Sequence, residues 1–249
     1  MTGFKARAAV AAVRGPDGAT RITRLRSDGP LALRESRPAS VVYLVGAAGG
    51  PLGGDDLELD ISVGPGAVLV IRSAAASLAL PGRGPSRFKV RATVAAGGTL
   101  DYAPEPLIAV RGCDHVAQAK VVCEDGARLR WREDLVLGRH GEPTGRLTSR
   151  LDVVYGGIPL LRHELRIGDH HATRSVLGDA RAVGTILLAG PGHAQAPVTC
   201  SGGLAVLPLA GPGTLINALG RDTLEMHRRL AGHPGTSALV LDRGAFRAS

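Results

Sequence analysis

Residues 41–63 read VVYLVGAAGGPLGGDDLELDISV, and this stretch decides the fold class expected for the chain. The apolar run 41–45 is rich in β-branched and aromatic residues, and it leads into a loop with five glycines and one proline. After the loop, residues 57–63 alternate strictly between apolar and polar side chains, which is the period of a half-buried strand. The stretch therefore predicts two β-strands joined by a long glycine-rich connection.

The glycine-rich loop lacks the features of a dinucleotide-binding turn. That turn requires a G-x-G-x-x-G spacing and opens a helix whose N-terminus receives the pyrophosphate. Here the spacing is absent, and the segment after the loop has the pattern of a strand. We therefore expect a β–β connection that ends in the carboxylate pair Asp55 and Asp56.

The composition predicts a mainly β protein with many short elements. Hydrophobic residues make up 44% of the 249 residues but aromatic residues only 3%, so the core must consist mostly of Val, Leu, Ala and Ile. Thirty-five glycines and 16 prolines are distributed along the chain and indicate many turns. No segment has the composition of a linker, so residues 1–249 are predicted to form a single β domain.

Three similar units follow the opening stretch, each with an alternating strand, a glycine turn and a second strand. The last glycines of the three turns are Gly66, Gly98 and Gly126. Units that recur roughly every 30 residues predict stacked hairpins in layered antiparallel sheets, similar to a β-helix or a sandwich. The spacing is too irregular for a strict solenoid. Near the C-terminus, Asp222 and Glu225 have the spacing of a helix cap, and we expect one or two short helices.

The formal net charge of +8 comes almost wholly from arginine and leaves two partner classes open. A basic surface can bind nucleic acid or an acidic protein. The arginines are scattered and the aromatic signature of RNA-binding modules is absent, which disfavours nucleic acid. A β-rich module that binds an acidic protein remains an alternative.

The chain has the features of a cytoplasmic protein. Its N-terminus lacks an apolar core of signal-peptide length, and no run of about 18 apolar residues predicts a membrane span. The three cysteines contain no C-x-x-C pair, and their odd number fits free thiols in a reducing compartment.

Motifs for catalysis are missing. The sequence has no G-x-S-x-G elbow, no Walker loop and no H-E-x-x-H, so we expect no enzymatic activity. The run Cys113-Asp114-His115 offers one or two metal ligands at Cys113 and His115, which leaves a metal-dependent enzyme as a weak alternative.

Glu133 is the most informative polar residue. The alternation of residues 129–137 places its carboxylate on the apolar face of a strand, where burial costs several kcal/mol unless the charge is paired or solvated. Either an arginine pairs with Glu133, or Glu133 lines a wet internal passage. His163 lies on the apolar-looking strand 160–167 in a similar way.

Several segments together resemble the urease accessory protein D family, also called UreH, in its actinobacterial form. They are GPLALR at 29–34, VYLVGAAGGPLGGDDLELDISVGPGA at 42–67, SAAAS at 73–77, LDYAPEPLI at 100–108, WREDLVLGR at 131–139 and PLLRHEL at 159–165. The resemblance covers roughly residues 25 to 170, and the C-terminal third matches only in general shape.

The resemblance implies a non-enzymatic chaperone of urease maturation. Family members bind the urease apoprotein (UreABC) and recruit accessory protein UreF, which docks the nickel-delivering GTPase UreG. A water-filled passage is proposed to carry nickel in transit, without a tightly bound cofactor. By position, its candidate lining residues here are Asp55, Ser77, Glu133 and His163, although relatives often have an acid in place of His163.

Overall fold

The computed structural model of the chain describes residues 3–36, 40–168, 170–191, 193 and 197–232, without the side chains of residues 170–172. Within these residues there are 18 strands and two helices. In chain order they are β1 (Lys5–Arg14), β2 (Thr20–Arg26), β3 (Leu31–Ser36), β4 (Val41–Gly46), β5 (Asp56–Val63), β6 (Val68–Ser73), β7 (Ser77–Ala79), β8 (Ser86–Val94), β9 (Thr99–Tyr102), β10 (Leu107–Ala109), β11 (Asp114–Cys123), β12 (Arg128–Leu137), β13 (Arg146–Tyr155), β14 (Ile158–Ile167), α1 (His170–Leu177), β15 (Ala182–Ala189), β16 (Thr199–Ser201), β17 (Leu204–Pro208), β18 (Gly213–Gly220) and α2 (Thr223–Ala231).

Two sheets pack face to face, which confirms the mainly β, layered class. The seven-stranded sheet has the order β14-β13-β11-β8-β5-β1-β2, and the eleven-stranded sheet runs β16-β17-β18-β15-β12-β9-β6-β4-β3, with β10 paired to β12 and β7 paired to β10. The largest core cluster takes residues from both sheets and is built mainly of Ala, Val, Leu and Ile, as the composition predicts.

The direction of strand pairing differs from the expected antiparallel hairpins. Strands β1, β5, β8, β11 and β13 pair in parallel, as do β4, β6, β9 and β12. Each repeating unit therefore places one strand in each sheet, and successive units stack as the coils of a β-solenoid of about four turns. Antiparallel pairs such as β1–β2 and β13–β14 lie toward the ends of the sheets.

The glycine turns form the corners of these coils. A glycine turn between two alternating strands is also the pattern of a hairpin, which is why the sequence predicts hairpins. Gly66, Gly97 and Gly126 all have positive φ, a conformation that costs glycine little. Gly98, expected as the last turn glycine, follows the positive-φ residue by one. After each corner the chain enters the opposite sheet, and Leu69, Leu100 and Leu129 become fully buried partners in adjacent coils.

The two helices lie near the C-terminal part of the described chain. The predicted helix is confirmed as α2: Asp222 is its N-cap and accepts a hydrogen bond from the Glu225 N–H, at 2.7 Å. Its buried residues Met226 and Leu230 pack on β15 and β18. Helix α1 had no clear sequence signal. Neither helix of the described residues has the length and apolar character needed to cross a membrane.

Candidate functional site

A cavity of about 320 Å³ lies between the two sheets. Its inner wall includes Tyr102 and Glu133 from the eleven-stranded sheet and His115 and Ser149 from the seven-stranded sheet. Its outer end is formed by exposed residues of the loops 46–51 and 73–78. The glycine-rich loop between β4 and β5 thus forms the mouth of an internal cavity.

Three of the four passage residues expected from the family resemblance line this first cavity: Asp55, Ser77 and Glu133. Ser77 begins the short strand β7, whose partner β10 pairs in turn with β12, the strand of Glu133. Asp55 follows the glycine-rich loop directly. These residues come from three separate parts of the chain, and the solenoid coils bring them to one space.

Asp55 has a structural task that the sequence did not show. It is 3% exposed, and each of its carboxylate oxygens accepts a backbone hydrogen bond. Phe4 donates to Oδ1 at 2.8 Å and Leu52 donates to Oδ2 at 2.9 Å. The carboxylate therefore fixes the loop at the mouth of the cavity to the start of β1.

Glu133 faces the cavity, as the alternation of β12 predicts, but its partners are not arginines. Trp131 donates its indole N–H to Oε1 at 2.8 Å, and the Ser149 hydroxyl donates to Oε2 at 2.9 Å. Glu133 keeps intermediate exposure because its surface faces the cavity, yet the surrounding protein raises its pKa by desolvation. Neighbouring Asp134 adds to the rise, and the two hydrogen bonds oppose it.

This raised pKa predicts a pH-dependent gain in stability for Glu133→Gln. Below the ordinary carboxyl pKa of 4.5, Glu133 is protonated in both the folded and the unfolded chain, and the substitution should change stability little. As pH rises through the folded pKa, the wild type loses stability because its charged form is favoured by the unfolded chain. Urea unfolding at about pH 4 and about pH 8 should therefore show the variant more stable only at the higher pH. An equal difference at both values would contradict the burial of this charge.

The run Cys113-Asp114-His115 does not act as one unit. Cys113 donates its thiol to the backbone carbonyl of Arg146 at 3.5 Å, and burial raises its pKa to about 11, so it stays a thiol at neutral pH. Asp114 forms an ion pair with the Arg146 guanidinium at 2.7 Å. His115 alone lines the cavity. Among the described residues, no three His, Cys, Asp or Glu side chains cluster closely enough to hold a metal ion.

His163, the fourth expected passage residue, lines a second cavity of about 410 Å³. This cavity lies between β14, α1 and the strands β15 to β18, and the exposed thiol of Cys200 also lines it. Partial burial lowers the pKa of His163, so its imidazole is neutral at physiological pH.

Glu133 and Ser149, which line the first cavity, are strand neighbours of residues that line the second. Glu133 is the strand partner of Thr185 in β15, and Thr185 lines the second cavity. Ser149 is the strand partner of Leu165 in β14, which also lines the second cavity. The hydrogen bond between Glu133 and Ser149 therefore joins the two sheets at the part of the first cavity that is nearest in the strand register to the lining of the second. Sequence reasoning did not single out Ser149, because a serine on an alternating strand carries no signal of its own.

The outer face of the seven-stranded sheet carries many cations, but they are interleaved with carboxylates. Glu58 on β5 is 5% exposed and lies within 3.5 Å of Arg7, Lys89 and Arg91. The hydrogen bond from Arg91 holds the pKa of Glu58 below its usual range. The charges around Glu58 are therefore paired, and this cluster gives the nucleic-acid hypothesis no support.

Comparison with known proteins identifies the relatives of this chain. The family model described as UreD urease accessory protein matches residues 5–233, which include every residue that lines the two cavities. The urease accessory protein UreD of Frankia casuarinae is 40% identical, over 96% of this chain and 91% of its own length. That of Frankia alni is 43% identical over 92% of both chains, and that of Streptomyces avermitilis is 40% identical over 92% of this chain and 95% of its own.

Proposed function

This chain belongs to the UreD family of urease accessory proteins, and on that premise we propose that it serves urease maturation by passing nickel through its interior to the urease apoprotein. The chain acts here as a non-catalytic chaperone, and nickel is its cargo. In this proposal UreF binds the chain and brings the GTPase UreG, which supplies the metal to one end of the passage. The urease apoprotein receives it at the other end.

The contact between Glu133 and Ser149 carries the proposal. It lies at the part of the first cavity that is nearest in the strand register to the second, with Asp55, Ser77 and Glu133 lining the first cavity and His163 lining the second. In this proposal a metal ion that moves from the first cavity to the second passes this carboxylate. Rotation of Ser149 away from Glu133 opens this contact and breaks one hydrogen bond, which is worth only about 1.5–3 kcal/mol when one partner is charged, while Trp131 continues to hold the carboxylate.

The chemistry of these groups fits transfer. Nickel accepts carboxylate and imidazole donors, and a site with few protein donors leaves water on the ion and lets it dissociate. Burial favours the protonated form of Glu133, and an approaching divalent cation favours the ionised form. The charge of the approaching cation therefore offsets the cost of burying this carboxylate.

The test is co-expression of the urease subunits and the accessory proteins with this chain, with Glu133→Gln, or without the chain. Glu133→Gln should fold and bind its partners, because glutamine keeps the size, its amide oxygen can accept from Trp131 and its amide N–H can donate to the Ser149 hydroxyl oxygen, but the nickel content and activity of urease should fall severalfold. Glu35→Gln, at an exposed glutamate of β3, is the matched control and should load urease normally. Normal nickel content with Glu133→Gln would overturn the passage through this residue. Normal urease without the chain would overturn the maturation role altogether.

A further inference from the structure

His115 is the one residue of the Cys113-Asp114-His115 run that reaches the first cavity, and its surroundings are unusual. It lies on β11 between Ser86 of β8 and Leu147 of β13, and only 1% of its surface is exposed. Its Nδ1 atom is 2.8 Å from the hydroxyl oxygen of Ser86, which is itself fully buried. Its Nε2 atom has no hydrogen-bond partner within the described part of the chain.

A buried ring nitrogen without a partner requires an explanation. Leaving such a group unsatisfied costs about 1–3 kcal/mol, so most buried polar atoms are paired. The arrangement matches the requirements of a metal-binding histidine, in which one ring nitrogen donates to a neighbouring oxygen and the other nitrogen faces the metal. Ser86 provides that oxygen when Nδ1 carries the ring proton, and the His115 side chain is part of the lining of the first cavity.

Burial also keeps this imidazole in the form that binds metals. The pKa of His115 is lowered to about 4 by desolvation, against a small opposite effect of Asp114. Protons therefore do not compete for Nε2 at neutral pH. Asp55, in contrast, already uses both carboxylate oxygens to hold backbone N–H groups.

We propose that the Nε2 atom of His115 binds nickel in the first cavity and makes that cavity selective for transition-metal ions over Mg²⁺, an inference that rests on the nickel passage proposed above. Mg²⁺ prefers oxygen ligands and holds its water tightly, whereas imidazole suits nickel, zinc and copper. A passage lined only by carboxylates and hydroxyls would admit the far more abundant Mg²⁺. The single nitrogen ligand favours nickel over Mg²⁺ without forming a closed site that would trap the cargo.

The first test is calorimetric titration of Ni²⁺ into the purified full-length protein in the presence of excess Mg²⁺. His115→Gln should weaken nickel binding at least about tenfold, and Ser86→Ala should weaken it by a smaller factor because the ring remains but loses its orienting partner. The matched control is His140→Gln, at an exposed histidine outside both cavities, which should bind nickel as the wild type does. Equal nickel affinity of His115→Gln and the wild type would overturn the proposal.

A second measurement covers the case in which His115→Gln does not fold. In the ¹⁵N-histidine-labelled wild type, addition of Zn²⁺ should shift the ring-nitrogen signals of His115, and an unchanged His115 spectrum would overturn the proposal.

The test of His115 as a ligand can also be separated from the test of the nickel passage. If nickel binding depends on His115 but Glu133→Gln loads urease normally, His115 is a nickel ligand and the passage at Glu133 is wrong. If Glu133→Gln lowers urease loading but His115→Gln binds nickel normally, the passage is supported and His115 is not a ligand.

Discussion

Replacing Trp131 with alanine is expected to cost about 3–5 kcal/mol of the free energy of unfolding. The Trp131 side chain is fully buried, and its ring stacks on Tyr102 with a centroid distance of 3.9 Å. Its removal opens a void between the sheets, and Glu133 loses the indole N–H that it accepts at 2.8 Å. Because domains are stable by only about 5–15 kcal/mol, urea unfolding should show a much lower midpoint for this variant.

Trp131→Phe separates packing from hydrogen bonding at the same position. Phenylalanine keeps a ring on Tyr102 but removes the donor to Glu133, so we expect a loss of about 1–3 kcal/mol, smaller than that of alanine. Adding Glu133→Gln to Trp131→Phe should recover part of this loss, since the amide is uncharged and needs its donor less. The two single variants and the double variant form a cycle that measures this coupling. Equal losses for alanine and phenylalanine would contradict the contribution of the stacked ring.

The strands were predictable from the sequence because alternation is a local property. Residues 57–63 alternate with period two, and they form β5 with its apolar residues inside. The direction of pairing was not predictable, because a glycine turn between two alternating strands suits a tight hairpin and a solenoid corner equally well. Only the parallel contacts between β5, β8 and β11, which are distant in sequence, distinguish the two.

For the candidate site, too, the sequence predicts the local features but not the contacts between distant segments. The alternation of β12 was sufficient to place Glu133 inside, since orientation on a strand follows from neighbouring residues. The partners of the site were not predictable, because they come from other coils: Ser149 reaches Glu133 from the opposite sheet, and Ser86 reaches His115 from an adjacent strand. The family resemblance placed His163 in one passage with Glu133, and the structure assigns it to the second cavity.

The second large effect is expected for Gly53→Ala in the glycine-rich loop. A Cβ atom at Gly53 would lie 2.5 Å from the backbone nitrogen and 2.6 Å from the Cα atom of Gly82, and backbone atoms cannot rotate away as side chains do. The loop and the segment around Gly82 are also tied by the hydrogen bond from the Gly53 N–H to the Leu80 carbonyl. Overpacking of this kind costs about 1–3 kcal/mol and sometimes more, so urea unfolding should show a clear loss of stability.

Gly53→Ala should also disturb the lining of the first cavity, because the lining residue Asp55 follows Gly53 by two residues. Displacement of the loop would loosen the hydrogen bonds from Phe4 and Leu52 to Asp55, so the amide hydrogens of these residues should exchange faster. Gly49→Ala is the matched control in the same loop, since a Cβ atom there meets nothing within 4 Å. It should leave stability and exchange nearly unchanged. Equal behaviour of the two variants would mean that the close approach of Gly53 to Gly82 does not hold the mouth of the cavity. Faster exchange in Gly53→Ala alone, together with lower nickel loading of urease, would link the glycine pattern of the sequence to the proposed passage.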